Sequence, residues 1–483
     1  MCYNKVAAEP VFLFSAAVCF YVFQEESEKM RIIVVGDGKV GHTLAENLAR
    51  EAHDVVVVDK NEEALRRCED TLDVMCVRGN GATASTLTEA GADRADVLIA
   101  TTASDETNML CCLVAKKLGT KYTIARIRDP EYTNSLNLLQ REMGIDLSTN
   151  PERGTASEIA RLLRFPFASN IDTFAKGRVE VVEFRAHEND AMVGLPLHQV
   201  NKKLHGVPQV LYAAVERGGQ VFIPNGNFVI HPEDRVFVAA DMVTITAYFR
   251  ALGKNTLKVK NVMLLGGGRI SFYLAKMLRP MGIHVSMTEI DEKKAAMLSE
   301  ALPDVNVIFG DGTDQELLEQ EGLDQMDAFV ALSNRDEENL MTGLYAVKRG
   351  VPKVVVKNSH LAYADIISDM GLDCVISPKD ITCSNILRYV RARDNATGTK
   401  VERLYKLVGG KAEALEFIPR ANDPYIGIPL KDLKVRPGTL IAVIVRKGQV
   451  IVPFGNDHIE AGDSVVVVAC ESGISDLNEV IRK

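Results

Sequence analysis

Residues 31–41 read RIIVVGDGKVG, and the fold is decided in this stretch. RIIVV is a continuous apolar run, the pattern of a strand buried on both faces of a parallel sheet. Gly36-Asp37-Gly38-Lys39-Val40-Gly41 follows as G-x-G-x-x-G. Val40, Leu44 and Leu48 then recur every four residues and place one apolar stripe on a helix. Asp59 closes the next apolar run, DVVVVD, 18 residues after Gly41. Strand, glycine turn, helix, strand and terminal acid are together the context that a dinucleotide-binding fingerprint requires.

Each residue of that set has a physical task. Gly36 permits the tight turn, Gly38 lets a pyrophosphate approach the backbone, and Gly41 lets helix and strand pack closely. The helix N-terminus offers unpaired N–H groups and a partial positive charge to phosphates. Asp59 can accept hydrogen bonds from ribose hydroxyls and would repel a 2′-phosphate, which favours NAD or an adenine nucleotide over NADP.

Outward from the loop, VMCV, DVLIAT and YTIARI read as further strands, with NEEALRRCE and ETNMLCCLVAKKLG as helices between them. The alternation predicts a doubly wound α/β sheet of the Rossmann kind. Residues 136–163 continue in a helical pattern broken at Asn150-Pro151. Gly79-Asn80-Gly81 follows the third strand and Thr101-Thr102 the fourth, at the carboxyl ends that face a ligand crevice. Arg126 ends the fifth strand. Its fork of donors suits a phosphate, but a surface salt bridge to Asp129 or Glu131 suits it equally from position alone.

The pattern then recurs. NVMLLGGGRIS at 261–271 repeats RIIVVGDGKVG, with Gly36 and Gly266 set 230 residues apart, and Asp59 and Glu289 likewise. ASDETN (103–108) matches NRDEEN (334–339), and Arg126 matches Lys357. NDAMVGLPL (189–197) matches NDPYIGIPL (422–430), and PEDRVFVAA (232–240) matches AGDSVVVVA (461–469). A near-constant offset means a duplicated two-domain unit, since solenoid repeats are far shorter, about 20 to 50 residues. In the second loop, Gly266-Gly267-Gly268-Arg269-Ile270-Ser271, Ser271 replaces the third glycine and Glu289 takes the acidic role. The predicted fold is α/β: two Rossmann-like doubly wound domains at 30–150 and 261–380. Each is followed by a small β-rich α+β domain, at 177–253 and 400–483. Helical connectors occupy 151–176 and 381–399, and a linker 254–260.

Composition narrows the function. With 56 basic against 65 acidic residues and no run of five Lys or Arg, the chain is a poor candidate for a nucleic-acid binder. None of the nine cysteines lies in a C-x-x-C, so the reading is a reduced, intracellular protein with no metal site. The apolar run 11–23 is too short to span a bilayer. It could be a signal-peptide core, but the acidic EESE stands where a small-residue cleavage site would be. Residues 1–29 are read instead as an N-terminal extension or misassigned start before Met30. No G-x-S-x-G, Walker lysine motif or H-E-x-x-H occurs, so no catalytic residue is assigned. His42 is the least implausible proton donor but reads as a helix-surface residue. The alternative to a ligand sensor is an NAD-dependent oxidoreductase with duplicated cofactor domains.

VVGDGKVG (34–41), Asp59, GNGAT (79–83), TTASDETN (101–108), ARIRDPEY (125–132), VGLPL (193–197) and IGIPL (426–430), in this order, resemble the RCK family of potassium-transport nucleotide-binding proteins. The resemblance covers 30–483 and includes the tandem arrangement. It implies binding of NAD(H), or of ATP and ADP, as a regulatory signal. It also implies a homo-oligomeric ring, tetrameric, on the cytoplasmic face of the plasma membrane. The implied partner is an integral-membrane potassium-translocating subunit of the Trk type. By position, the first-copy contacts would be Gly36, Asp37, Gly38, Lys39, Val40, Asp59, Thr102, Ala103 and Arg126. The second-copy contacts would be Gly266, Gly267, Gly268, Arg269, Ile270 and Glu289, with Lys357 in place of the arginine.

Overall fold

All four residues after Arg31 in β1 (Arg31–Val35) are buried, as are the four valines of β2 (Asp54–Asp59). Such strands need cover on both sides. With β3 (Met75–Arg78), β4 (Val97–Ala100), β5 (Tyr122–Arg126) and β6 (Leu147–Thr149) they form a parallel sheet in the order β3-β2-β1-β4-β5-β6. The winding reverses between β1 and β4, so a crevice opens at their carboxyl ends. The helices are α1 (Lys39–Arg50), α2 (Glu62–Thr71), α3 (Ala84–Glu89), α4 (Asp105–Leu118), α5 (Leu136–Met143) and α6 (Pro151–Arg164). The computed structural model describes residues 29–204, 210–254, 258–359, 370–372, 374–394, 403–407, 411–470, 474 and 476–482. The expectation for residues 1–29 therefore lies, except at Lys29, outside the described residues.

Two elements differ from the sequence expectation. β6 interrupts the helical pattern of 136–163. Gly144 ends α5 in the left-handed region, and Asn150 caps α6 by accepting the Arg153 N–H at 2.8 Å. The residues between are left to pair with β5. The segment read as a helical connector also ends in a strand, β7 (Asn170–Phe174), paired antiparallel with β8 (Val179–Arg185). These two join β9 (Leu211–Arg217), β10 (Gln220–Phe222) and β11 (Arg235–Ala240) in the order β10-β9-β11-β8-β7, with α7 (Leu197–Lys203) and α8 (Met242–Ala251) alongside.

The second half repeats both sheets. Strands β12 (Asn261–Leu265), β13 (His284–Glu289), β14 (Asn306–Phe309), β15 (Ala328–Ala331), β16 (Lys353–Lys357) and β17 (Cys374–Ile376) run parallel as β14-β13-β12-β15-β16-β17. Their helices are α9 (Arg269–Leu278), α10 (Glu292–Ala301), α11 (Gln315–Gln320), α12 (Asp336–Lys348) and α13 (Pro378–Asp394). The last sheet comprises β18 (Arg403–Leu407), β19 (Ala412–Phe417), β21 (Thr439–Arg446), β22 (Gln449–Ile451) and β23 (Ser464–Ala469), ordered β18-β19-β23-β21-β22. Beside it, β20 (Lys434–Val435) pairs with β24 (Ile481–Arg482).

The halves are packed reciprocally. α6 of the first half lies on α9 of the second, where Ile159 and Leu163 share a core with Leu274 and Leu278. There the Tyr273 hydroxyl donates to the Arg128 carbonyl at 3.0 Å. In exchange α13 lies on α1, and its Cys383, Ile386, Leu387 and Val390 complete the core built on Leu44 and Leu48. Arg391 Nε donates to Glu51 Oε2 at 3.0 Å beside that contact. The two antiparallel sheets also share one core, in which Phe174, Val181 and Phe237 meet Ala414, Val443 and Val466.

A prediction follows from the exchange. Ile386→Ala removes a fully buried side chain from the first half's core. It should cost about 2–5 kcal/mol, the usual range for a large core truncation. Denaturant unfolding followed by hydrogen exchange in β1 and α1 should register the loss, although residue 386 belongs to the second half. Protection unchanged in β1 and α1 would refute the shared core.

Candidate nucleotide cleft at the first glycine loop

The cleft is built where β1 stops. Gly36 turns the chain with φ +99°, a region closed to most side chains, and its N–H donates to the Val58 carbonyl at 2.8 Å. A Cβ on Gly36 would stand 3.0 Å from the Thr102 nitrogen. Beneath it Gly41 passes so close that a Cβ there would lie 1.8 Å from the Gly36 carbonyl oxygen. α1 thus begins tight against β1. Its N-cap, Gly38, supplies no side-chain acceptor, whereas Asn61, Ser104 and Asn150 cap α2, α4 and α6. The first-turn N–H groups of α1 are left for an anion.

The cleft has a volume of about 630 Å³. Of the residues singled out in the first half, Gly36, Gly38, Lys39, Val40, Asp59, Thr102, Ala103 and Arg126 all line it, together with Gly79, Asn80 and Gly81. Asp59 is held at one edge: Oδ2 accepts the Asp37 N–H at 2.6 Å and Oδ1 the Asn61 N–H at 2.8 Å. Both oxygens keep lone pairs free for further donors. Arg126 stands at the other edge. Its Nη2 donates to the Thr102 carbonyl, and its buried Nε has no partner. Among the described residues it forms no ion pair with Asp129 or Glu131, so the salt-bridge alternative falls away. Burial, and then the neighbouring Arg128, pull the Arg126 guanidinium below its ordinary pKa. Glu152 and Asp105 act on it only from beyond ion-pair distance, so its donors remain available to an anion. A second cavity, about 670 Å³, lies between the halves and is lined by Arg153, Asn385, Arg388 and Tyr389; none of the singled-out residues reaches it.

Asn108 was not singled out in the sequence. It is fully buried, and its Oδ1 accepts from the Thr102 N–H at 2.8 Å and the Thr102 hydroxyl at 2.7 Å. Its Nδ2 donates to the Arg126 carbonyl at 2.9 Å. One amide therefore clamps the ends of β4 and β5, where Thr102 and Arg126 sit. Asn339 does the same in the second half, accepting from Ser333 N–H at 2.9 Å and donating to Lys357 O at 3.1 Å. The repeat of Asn108 at Asn339 was the available signal.

The second loop is built differently. Gly266 turns with φ +92°, and Ser271 is accommodated: it is fully buried, and its hydroxyl donates to the Gly266 carbonyl at 2.5 Å. A Cβ on Gly267 would collide with Leu298 and Glu289, whereas Gly268 faces open space. Arg269 is exposed and Ile270 buried. Glu289 is buried, accepting the Gly267 N–H at 3.1 Å and the Asp291 N–H at 3.0 Å. Its other partner is the Lys294 ammonium, where the first half has Ala64. Burial alone would raise the Glu289 pKa; Lys294 and the backbone donors outweigh it, and the carboxyl sits below its ordinary range. Lys357 is buried and reaches Asn334 Oδ1 at 3.5 Å.

Asp37 is the one singled-out residue of the first half that leaves the cleft. Its carboxylate turns to an adjacent opening, where Oδ1 meets His42 Nδ1 at 3.2 Å. His42 lines that opening and not the cleft.

The TrkA-N domain family model matches residues 32–151 and 262–378, and the TrkA-C domain model matches 181–253 and 415–482. The chain belongs to the TrkA family. The Trk system potassium uptake protein TrkA of Vibrio alginolyticus is 36% identical over 444 residues, covering 91% of this chain and 95% of that protein. The Trk system potassium uptake protein TrkA homolog 1 of Methanosarcina mazei is 32% identical over 461 residues, covering 94% of this chain and all of that protein. Among solved structures, the GsuK channel bound to NAD superposes with a TM-score of 0.60 at 18% identity, over 92% of this chain and 77% of that one. The GsuK RCK domain gives 0.58 at 17% identity, over 92% and 93%. The TrkA family thus explains the doubled two-domain unit, and the RCK likeness extends to its three-dimensional arrangement. Among the described residues no helix is long and apolar enough to cross a membrane.

Proposed function

We propose that this TrkA-family chain is a non-catalytic regulatory subunit on the cytoplasmic face of a membrane potassium-uptake system. Its signal is NAD(H), or ATP and ADP, held in the first cleft. The observation that carries this reading is the lined cleft itself: an uncapped helix N-terminus, an available ribose acceptor at Asp59, and a half-buried Arg126 with an orphaned Nε. The curated relatives are named as potassium uptake proteins of the Trk system, and a structural neighbour is a channel bound to NAD. Gly36 to Val40 would cradle the phosphates, Asp59 the ribose, and Thr102, Ala103 and Arg126 the far side of the nucleotide.

In the second half, Gly266 to Ile270 and Glu289 would take a nucleotide with altered preference, because Lys294 already neutralises the acceptor. The partner is an integral-membrane potassium-translocating subunit of the Trk type, and the chain assembles as a tetrameric ring, which light scattering of the purified complex would measure. Gating requires only that the ligand bind two conformations unequally, and a difference of about 1.4 kcal/mol shifts the balance tenfold. The reciprocal packing supplies a route, since α1 carries both the phosphate loop and the seat of α13.

His42 lies outside the cleft, so the oxidoreductase alternative gains no support from it. Purified chain should bind NADH saturably and return it unconsumed. Asp59→Ala should weaken NADH by about 10- to 100-fold, the value of one or two charge-assisted hydrogen bonds. It should also narrow the preference for NADH over NADPH. Titration calorimetry reads both, and an affinity equal to wild type would remove Asp59 from the site. Potassium flux through the co-purified membrane partner, with and without nucleotide, tests the regulatory role.

A further inference from the structure

Beside the first cleft, three side chains from three elements converge. Asp37 comes from the glycine loop, His42 from the first turns of α1 and Cys68 from α2. Their ligand atoms, a carboxylate oxygen, an imidazole nitrogen and a sulfur, all lie within 4.8 Å of one another. The Asp37 carboxylate is only 3% exposed and Cys68 is fully buried, while the His42 side chain is 36% exposed.

We infer that Asp37, His42 and Cys68 form a site for a thiophilic divalent cation, Zn²⁺, against the phosphate loop. The sequence argued for no metal because no cysteine has C-x-x-C spacing; the ligands instead meet through the fold. A tetrahedral zinc with bonds of about 2.0–2.3 Å needs ligand atoms about 3.3–3.6 Å apart. Asp37 Oδ1 and His42 Nδ1 are already 3.2 Å apart, and the sulfur, within 4.8 Å of both, must move closer on binding. One sulfur and one imidazole favour zinc over magnesium, calcium or potassium, which prefer all-oxygen shells. Charge also balances: carboxylate, thiolate and neutral imidazole cancel a divalent ion. Asp37 and His42 line an opening of about 480 Å³, which has room for a water as a further ligand.

Binding takes the Cys68 sulfur as a thiolate, and the thiol proton leaves to solvent. Arg67 and Lys379 line the same opening and set an upper limit on affinity through repulsion.

The test uses the full chain without nucleotide, so it stands apart from the proposed function. Co²⁺, the spectroscopic stand-in for Zn²⁺, is titrated into metal-stripped protein. One equivalent should produce a thiolate-to-cobalt charge-transfer band and tetrahedral visible absorption, and Zn²⁺ should erase both. Cys68→Ala should abolish the band. His42→Ala, at a partly exposed position, should weaken Co²⁺ binding by at least tenfold. Cys76→Ser, beside Cys68 but outside the triad, should leave the band intact. Absence of the band in wild type, its survival in Cys68→Ala, or Co²⁺ affinity unchanged in His42→Ala would each overturn the assignment. A band lost only with Cys76→Ser would do so too.

Discussion

Gly38→Val should lower NADH affinity by at least about 100-fold while changing the stability of the free protein by no more than about 1 kcal/mol. The two effects separate because of where Gly38 stands. Its backbone is extended, with φ −77°, so a branched side chain meets no conformational strain. No protein atom lies within 4 Å of a Cβ built there. Gly38 lines the cleft at the uncapped N-terminus of α1. A valine would occupy the volume that a pyrophosphate needs and hold it off the helix terminus. Calorimetric titration gives the affinity, and thermal unfolding without ligand gives the stability. An unchanged dissociation constant would sink the cleft as the nucleotide site.

Gly41→Val should have the opposite signature. Its Cβ would lie 1.8 Å from the Gly36 carbonyl oxygen and 3.0 Å from Thr101 Oγ1, all backbone or buried groups without room to yield. α1 must lift off β1, and the contact with α13 goes with it. The expected loss is at least about 3 kcal/mol, the upper end of overpacking costs, read as a lower denaturant midpoint. The second half provides the internal control. There Ser271 already occupies the corresponding position with its hydroxyl on Gly266, so that interface has the width that the first one lacks. Ser271→Gly should therefore cost no more than about 1.5 kcal/mol, one ordinary hydrogen bond. Equal effects at 41 and 271 would mean that the tight helix–strand approach is not what Gly41 provides.

The reading of Asp59 and Arg126 shows how far local pattern carries. Both end strands of an alternating sheet, and the register of such a sheet sends strand ends to one side, so their meeting at one cleft follows from order alone. Whether Arg126 faced the cleft or an acidic neighbour did not follow, because that depends on which way a five-donor side chain turns. The carbonyl of Thr102, fixed by Asn108, settles it. β6 was missed because three residues hold no period; only pairing with β5 makes them a strand.

From the chain of residues alone came the duplication, the doubly wound sheets and the glycine loops. These are written in short periods and a constant offset, and depend on interactions between near neighbours. Tertiary structure alone decided that α13 completes the core over α1, that Lys294 answers Glu289, and that Asp37, His42 and Cys68 come within reach of one another. Each of these depends on packing that brings separate elements face to face. No periodicity encodes it, because side-chain contacts across a folded core are fixed by shape and burial rather than by spacing along the chain.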